Sequence, residues 1–330
     1  MKKIINTPKT FVNDMLHGIY LAHPDRLTYV DNDIHAMVKA HITPQKVGIV
    51  TGGGSGHLPL FLGYIGEGML DGCSIGEVFQ SPSTQQIISV TRAVSTGAGI
   101  LYIYGNYGGD RLNFELAAET AETEDGIRIK SVVAMDDLAA DRPENRRGVA
   151  GIFFIYKCAG AAAEEMATLD EVARIAQKAA DNVRTMAVAL SSCTIPRVGH
   201  PSFEINEDDM EIGIGIHGEP GVRRGQLMSA REIVHEMMEP ILHDMSLPRN
   251  TDVAVLMNGL GGTPLEEQYI AFSHVHNILS GNGLKIFRAY VGEFATSLEM
   301  SGISISIFRL DDELKRLLSR PTDTSFFVQR

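Results

Sequence analysis

Residues 213–219 read Gly-Ile-Gly-Ile-His-Gly-Glu, and His217 is the side chain in this sequence best suited to act on a small molecule. Glycines around it leave little neighbouring bulk, so the backbone can bring the imidazole close to a ligand. A neutral imidazole nitrogen is a nucleophile at pH 7. The segment carries no lysine, cysteine or serine that could serve instead, so the chemistry to expect is attack by His217 on an electrophilic carbon. Gly213, Gly215 and Gly218 also spell G-x-G-x-x-G, the dinucleotide fingerprint. That fingerprint needs a helix directly after it, to meet the pyrophosphate. Here Glu219-Pro220-Gly221 follows and reads as a turn, so no dinucleotide site is expected.

A second glycine run, Gly52-Gly53-Gly54-Ser55-Gly56-His57, follows the strand candidate Lys46–Thr51. Backbone N–H groups in such a run can cradle a ligand, although no Gly-Lys-Ser/Thr follows to make it a Walker A loop. The functional reading is close approach of the backbone to a small ligand with His57 at its edge; the plainer one is a tight turn with a partly exposed histidine. Asp110 closes a third run, Gly105-Asn106-Tyr107-Gly108-Gly109-Asp110, where a carboxylate can take a proton from a substrate hydroxyl or cap a helix. Arg146-Arg147 reads first as a solvated loop and second as a binder of phosphate or carboxylate. His235-Glu236-Met237-Met238-Glu239 has Glu where a zinc-protease helix needs its second His, so an amphipathic surface helix is expected and no metal. His274-Val275-His276 offers two histidines and no third ligand.

These residues need a scaffold, and the sequence predicts an α/β one. Phe11, Met15, Leu16 and Ile19 have helical spacing. Strand candidates at 46–51, 99–104 and 129–135 each end in a polar turn, the first two glycine-rich and the third at Asp136-Asp137, with helical residues such as Val90–Val94 and Leu112–Thr120 between them. This is the pattern of an α/β sheet, whose ligands bind beyond the carboxyl ends of the strands. If the strands are parallel, these turns share one side. The alanine-rich stretch 159–190 reads as a long helical region, giving way at Ser191–Pro196 to a second domain. That domain carries the His217 turn, a helix from about Ser229 to Leu247 and a strand from Asp252 to Asn258. Two α/β domains are expected, 1–187 and 188–330.

The bulk properties agree. With 330 residues the chain exceeds one typical core. Its 29 basic and 41 acidic residues give a net charge of −12, which argues against a nucleic-acid surface of its own. Cys73, Cys158 and Cys193 are widely spaced and read as buried thiols in a reducing compartment. No apolar run is long enough to span a bilayer and Met1–Pro8 lacks a signal-peptide core, so a cytoplasmic location is expected.

Taken in order, Gly52–His57, Asn106–Asp110 with Asn113-Phe114-Glu115, Arg146–Gly151, Ala189–Thr194 and Gly215–Gly221 resemble the dihydroxyacetone-binding subunit of dihydroxyacetone kinases over essentially the whole chain. The resemblance implies that His217 adds to the ketone carbon as a hemiaminal, which rejects a triol such as glycerol. It implies that His57 and Asp110 flank the hydroxyl to be phosphorylated, one deprotonating and one orienting it, while Gly54, Ser55 and Gly56 give backbone contacts. It implies a role in glycerol metabolism, a homodimer, and no cofactor bound by this chain. ADP or ATP with magnesium would sit on a separate all-helical nucleotide-binding subunit, for which no room remains after residue 330. That nucleotide would be recharged by a phosphotransferase-system protein using phosphoenolpyruvate, or exchanged for ATP.

Three positions, in two motifs, depart from the family pattern. The loop runs His57-Leu58-Pro59 where the family has His-Glu-Pro, and Gly105 and Gly108 stand where it has a ligand-reaching lysine and a threonine. Both glycines enlarge the site. Three readings follow: a dihydroxyacetone kinase subunit, a subunit for a four-carbon ketose such as erythrulose, or a covalent sensor acting as coactivator of a transcription regulator. Retention of His57, Asp110 and His217 together favours an enzyme, because a sensor needs only the capturing histidine.

Overall fold

The computed structural model describes residues 2–140 and 142–330. The first part of the chain forms α1 (Phe11–Ala22), β1 (Leu27–Val30), β2 (Asp33–Lys39), β3 (Gly48–Ser55), β4 (Gly66–Glu67), β5 (Gly72–Val78), α2 (Thr84–Val94), β6 (Ile100–Gly105), α3 (Gly108–Asp125) and β7 (Ile129–Ala134). Two helices follow, α4 (Ile152–Glu164) and α5 (Leu169–Asp181). Next come β8 (Val183–Ala189), β9 (Asp209–Ile212), β10 (Arg223–Gln226), α6 (Ala230–Met245), β11 (Asp252–Gly259), α7 (Leu265–Gly281), β12 (Lys285–Gly292) and β13 (Gly302–Leu310). The chain closes with α8 (Asp312–Leu318), β14 (Thr322–Thr324) and β15 (Val328–Gln329). Contacts divide it into two units: the chain up to Ala134 with Phe154–Ala180 and Arg316–Arg330, and Met135–Phe153 with Asp181–Lys315. The boundary expected at 187/188 falls inside β8.

In the first unit the sheet order is β1-β2-β5-β3-β6-β7. The strands β5, β3, β6 and β7 run parallel, with β1 and β2 antiparallel at one edge. Ser55, Gly105 and Ala134 therefore end their strands on the same side. Strands β3 and β6 are buried along their whole length, which is why they read as runs rather than as alternation. Ile87 and Val90 of α2 and Phe114 and Ala117 of α3 pack on Val50, Ile100, Tyr102 and Tyr104. Helix α2 starts from a capping box made by Ser83 and Gln86, which satisfies two otherwise orphaned N–H groups.

Gly52, Gly53 and Gly54, expected in a turn, are instead the end of β3. Protein atoms occupy the space their side chains would need. A Cβ on Gly52 would lie 2.7 Å from the Ser74 carbonyl, one on Gly53 would overlap the Phe61 ring, and one on Gly54 would lie 2.7 Å from the Gln80 nitrogen. The glycine run thus reports close packing against the strand.

The second unit has the order β10-β9-β8-β13-β11-β12, with β11 and β12 parallel and every other pair antiparallel. One face, made by Val188, Val253, Val255, Met257, Ile303, Ile305 and Ile307, packs on Val234, Met237 and Ile241 of α6 and Ala271 and Val275 of α7. Helix α6 begins where the sequence placed it, at a capping box between Ser229 and Glu232. The long helical region expected over 159–190 is corrected to three elements. Helix α4 stops at Glu164, Met166 takes a left-handed φ of 60°, α5 starts anew, and β8 follows it. Pairing of Val183–Ala189 along β13 overrides the helical bias of its alanines. Among the described residues no helix is long and apolar enough to cross a membrane.

Candidate active site

In the first unit, His57 lies just beyond β3 and is 2% exposed, so the partly exposed histidine of the plainer reading is not what forms. Its ring stacks on Phe79, centroids 5.0 Å apart and planes at 18°, and meets Phe61 edge-on at 6.1 Å. Ser55 Oγ donates to the Gly76 carbonyl at 2.6 Å, which ties the loop to the end of β5. Gly54 is backed by Phe79 and Gln80, so a side chain at that position has no room. The crevice lined by Gly53–Leu58, Phe61 and Ile75 encloses about 10 Å³, close to the least space that admits a water.

Asp110 is 5% exposed and stands in the first turn of α3. Tyr107 is the N-cap residue, so Asp110 lies three positions inside the helix instead of capping it. The helix N-terminus favours a negative charge at this position. A Cβ on Gly109 would lie 2.6 Å from Ser81 Oγ, and Asn113 Nδ2 donates to the Pro82 carbonyl at 2.8 Å. The start of α3 and the His57 ring therefore lean on the same segment, Phe79–Pro82.

His217 belongs to the second unit, in the loop that joins the antiparallel pair β9 and β10. Gly213 N donates to the Ala187 carbonyl at 2.7 Å and Val222 N to the Ile212 carbonyl at 2.8 Å, which closes the loop base. Inside it, Gly218 N donates to Gly215 O and Gly215 N to Glu219 O, both at 2.9 Å. The G-x-G-x-x-G string is thus a hairpin loop with no helix after it, as the turn signal implied.

Glu219 grips His217 twice: Oε2 accepts the His217 backbone N–H at 3.0 Å, and Oε1 lies 3.0 Å from Nδ1. Burial pushes the Glu219 carboxyl up, but the hydrogen bond and charge of His217, with Arg147 behind them, outweigh it and hold the group at about 2. Arg147 Nη1 is 3.9 Å from Glu219 Oε2, its Nη2 donates to the Gly213 carbonyl at 3.1 Å, and its Nε donates to Asp137 at 2.7 Å. Burial lifts the Asp137 carboxyl to about 6 against the pull of Arg147. Arg146 pairs with Asp244, so the solvated-loop reading of Arg146-Arg147 is corrected: both guanidiniums are engaged. Asp136 secures this segment by accepting from Val149 N at 2.9 Å and Gly151 N at 2.8 Å.

Sequence reasoning quoted Glu219 and gave it no task. The available signal was an acid two residues after a histidine in a glycine turn, close enough to fold back on it. The contribution of Arg147 had no local signal, since 66 residues separate it from Gly213. Among the described residues no group of three His, Cys, Asp or Glu side chains could hold a metal ion, and His235 and the His274–His276 pair lie on α6 and α7.

A Dak1 domain matches residues 17–326. The chain belongs to the Dak1 family. Among its Dak1 relatives, a Listeria innocua protein named PTS-dependent dihydroxyacetone kinase 2, dihydroxyacetone-binding subunit DhaK, is 43% identical over 329 residues, 99% of both chains. The Mycolicibacterium smegmatis L-erythrulose 1-kinase is 40% identical over 98% of this chain, which spans 57% of that longer enzyme. Among solved structures, the dihydroxyacetone kinase operon co-activator Dha-DhaQ superposes with a TM-score of 0.91 at 32% identity, covering 96% of this chain and 98% of that one. The mixed α/β architecture of this Dak1 protein is therefore that of DhaK-type structures.

Proposed function

We propose that this Dak1 chain is the ketose-binding subunit of a dihydroxyacetone kinase, active with a separate nucleotide-binding subunit. The observation that carries the reading is its likeness to the Listeria subunit, which runs through 99% of both chains. In this reading an imidazole nitrogen of His217 adds to the ketone carbon and holds the sugar as a hemiaminal. His57 and Asp110 act on the hydroxyl that receives the phosphoryl group, one as base and one as orienting partner. Gly54, Ser55 and Gly56 contribute backbone contacts. Phosphoryl transfer is chiefly a matter of positioning and charge, so the chain's task is to present that hydroxyl. ADP or ATP and magnesium belong to the partner subunit, recharged through a phosphoenolpyruvate-dependent phosphotransferase system. A homodimer in the cytoplasm, serving glycerol metabolism, completes the proposal.

A four-carbon ketose is the second reading. A Cβ on Gly108 would meet nothing within 4 Å, which leaves room there, and the erythrulose kinase of M. smegmatis is a relative at 40% identity. The sensor reading draws on the likeness to the Dha-DhaQ co-activator. Against it stands the retention of Asp110 and His57, which a sensor does not need.

Purified chain mixed with a nucleotide subunit, and offered dihydroxyacetone or erythrulose, tests the proposal. Phosphorylated ketose that disappears in His217→Ala is the expected result. No product from either sugar, while a verified kinase subunit turns over with the same partner, removes the kinase assignment.

A further inference from the structure

Attack by His217 on the ketone, proposed above, requires a lone pair on one defined ring nitrogen, and the surroundings of Glu219 select which. An ionised carboxylate accepts hydrogen bonds and cannot donate one. Oε1 of Glu219 lies 3.0 Å from Nδ1, so in the neutral imidazole the proton sits on Nδ1 and the lone pair on Nε2. The carboxylate is itself fixed, because Oε2 accepts the His217 backbone N–H at 3.0 Å. Gly215 has no side chain to fill the space that Glu219 occupies, and Arg147 stands 3.9 Å behind it as a positive neighbour held by Asp137.

We infer that Glu219 is the positioning residue of His217: it fixes the Nδ1–H tautomer, presents Nε2 to the ketone, and balances the charge the ring gains on addition. The step balances as follows. The Nε2 lone pair forms the N–C bond while the carbonyl π pair moves to oxygen. That oxygen takes a proton from solvent and becomes a hydroxyl. The ring keeps its Nδ1 proton, becomes an imidazolium, and pairs with the Glu219 carboxylate. Histidine bonded to a carboxylate through its other nitrogen is a general means of fixing both tautomer and ring orientation.

Nitrogen-15 NMR of the full chain labelled at histidine reads the tautomer directly, without any partner subunit or turnover. Carbon-13 dihydroxyacetone reads capture in the same sample. The expected wild-type spectrum is Nδ1–H for His217, switching toward Nε2–H in Glu219→Ala. Glu219→Gln should weaken ketose capture roughly ten- to hundredfold, the range for losing a hydrogen bond to a charged group, and Glu219→Asp should restore part of it. A wild-type Nε2–H tautomer overturns the inference even if the variants fold poorly. So does full-affinity capture by Glu219→Gln. Failure of the underlying reading looks different: no adduct on the wild-type chain although the tautomer still switches with residue 219, an outcome that removes the charge-balancing role as well.

Discussion

A side chain on Gly215 would overlap Oε2 of Glu219. Gly215, two residues before His217, therefore makes room for the carboxylate that holds that histidine. Gly215→Ala should displace Glu219 and weaken ketose binding by roughly ten- to hundredfold, since a charge-assisted hydrogen bond is lost. Isothermal titration with dihydroxyacetone checks this, with circular dichroism to establish that the variant is folded. Unchanged affinity would mean that Glu219 does not need its present position.

Acid should reveal Glu219 in a second way. Its carboxyl lies at about 2 in the folded chain against an ordinary 4.5. A depressed pKa contributes stability that is complete above the unfolded value and is lost as the pH falls through the folded one. The gap in unfolding free energy between wild type and Glu219→Gln should thus be widest at neutral pH and shrink as the pH is lowered below about 4.5. Denaturant titrations at a series of pH values measure it. A gap that grows with acid would contradict the assignment.

Asp110 should separate capture from turnover. Asp110→Asn keeps the shape of the first turn of α3 but removes the charge needed for a base. Phosphorylation should fall roughly a hundred- to ten-thousandfold if Asp110 is the base, and less if it orients the hydroxyl for His57, while ketose binding through His217 persists. Parallel kinetics and titration test this. Loss of binding equal to the loss of rate would give Asp110 a binding role instead.

Gly108 bears on sugar choice. A threonine Cβ there meets no atom within 4 Å, so Gly108→Thr should fold normally. If the extra room admits the fourth carbon, the substitution should lower kcat/KM for erythrulose relative to dihydroxyacetone by roughly tenfold, the scale of discrimination by one small group. An unaltered ratio would show that this position does not face the sugar.

The parallel strands, the shared side of their terminal turns and the start of α6 were legible because strand runs, turns and capping boxes are local. The glycines at 52–54 were legible as a demand for closeness, but their neighbours Phe61, Ser74 and Gln80 are supplied by other segments, so a ligand and a packed side chain look alike in sequence. The break between α5 and β8 was hidden by alanines, which suit a helix when isolated and are overruled by pairing with β13. His217 was visible from its own turn. The support from Arg147 and Asp137 was not, because ion pairs between distant residues leave no periodic trace.

Covalent capture by His217 is the central claim, and dihydroxyacetone labelled with carbon-13 at its ketone carbon tests it most directly. Mixed with chain carrying nitrogen-15 histidine, the carbon should move from the ketone to the tetrahedral region and show one-bond coupling to nitrogen. His217→Ala should abolish that signal. A bound sugar that keeps its ketone resonance, or a tetrahedral signal that survives in His217→Ala, would contradict it.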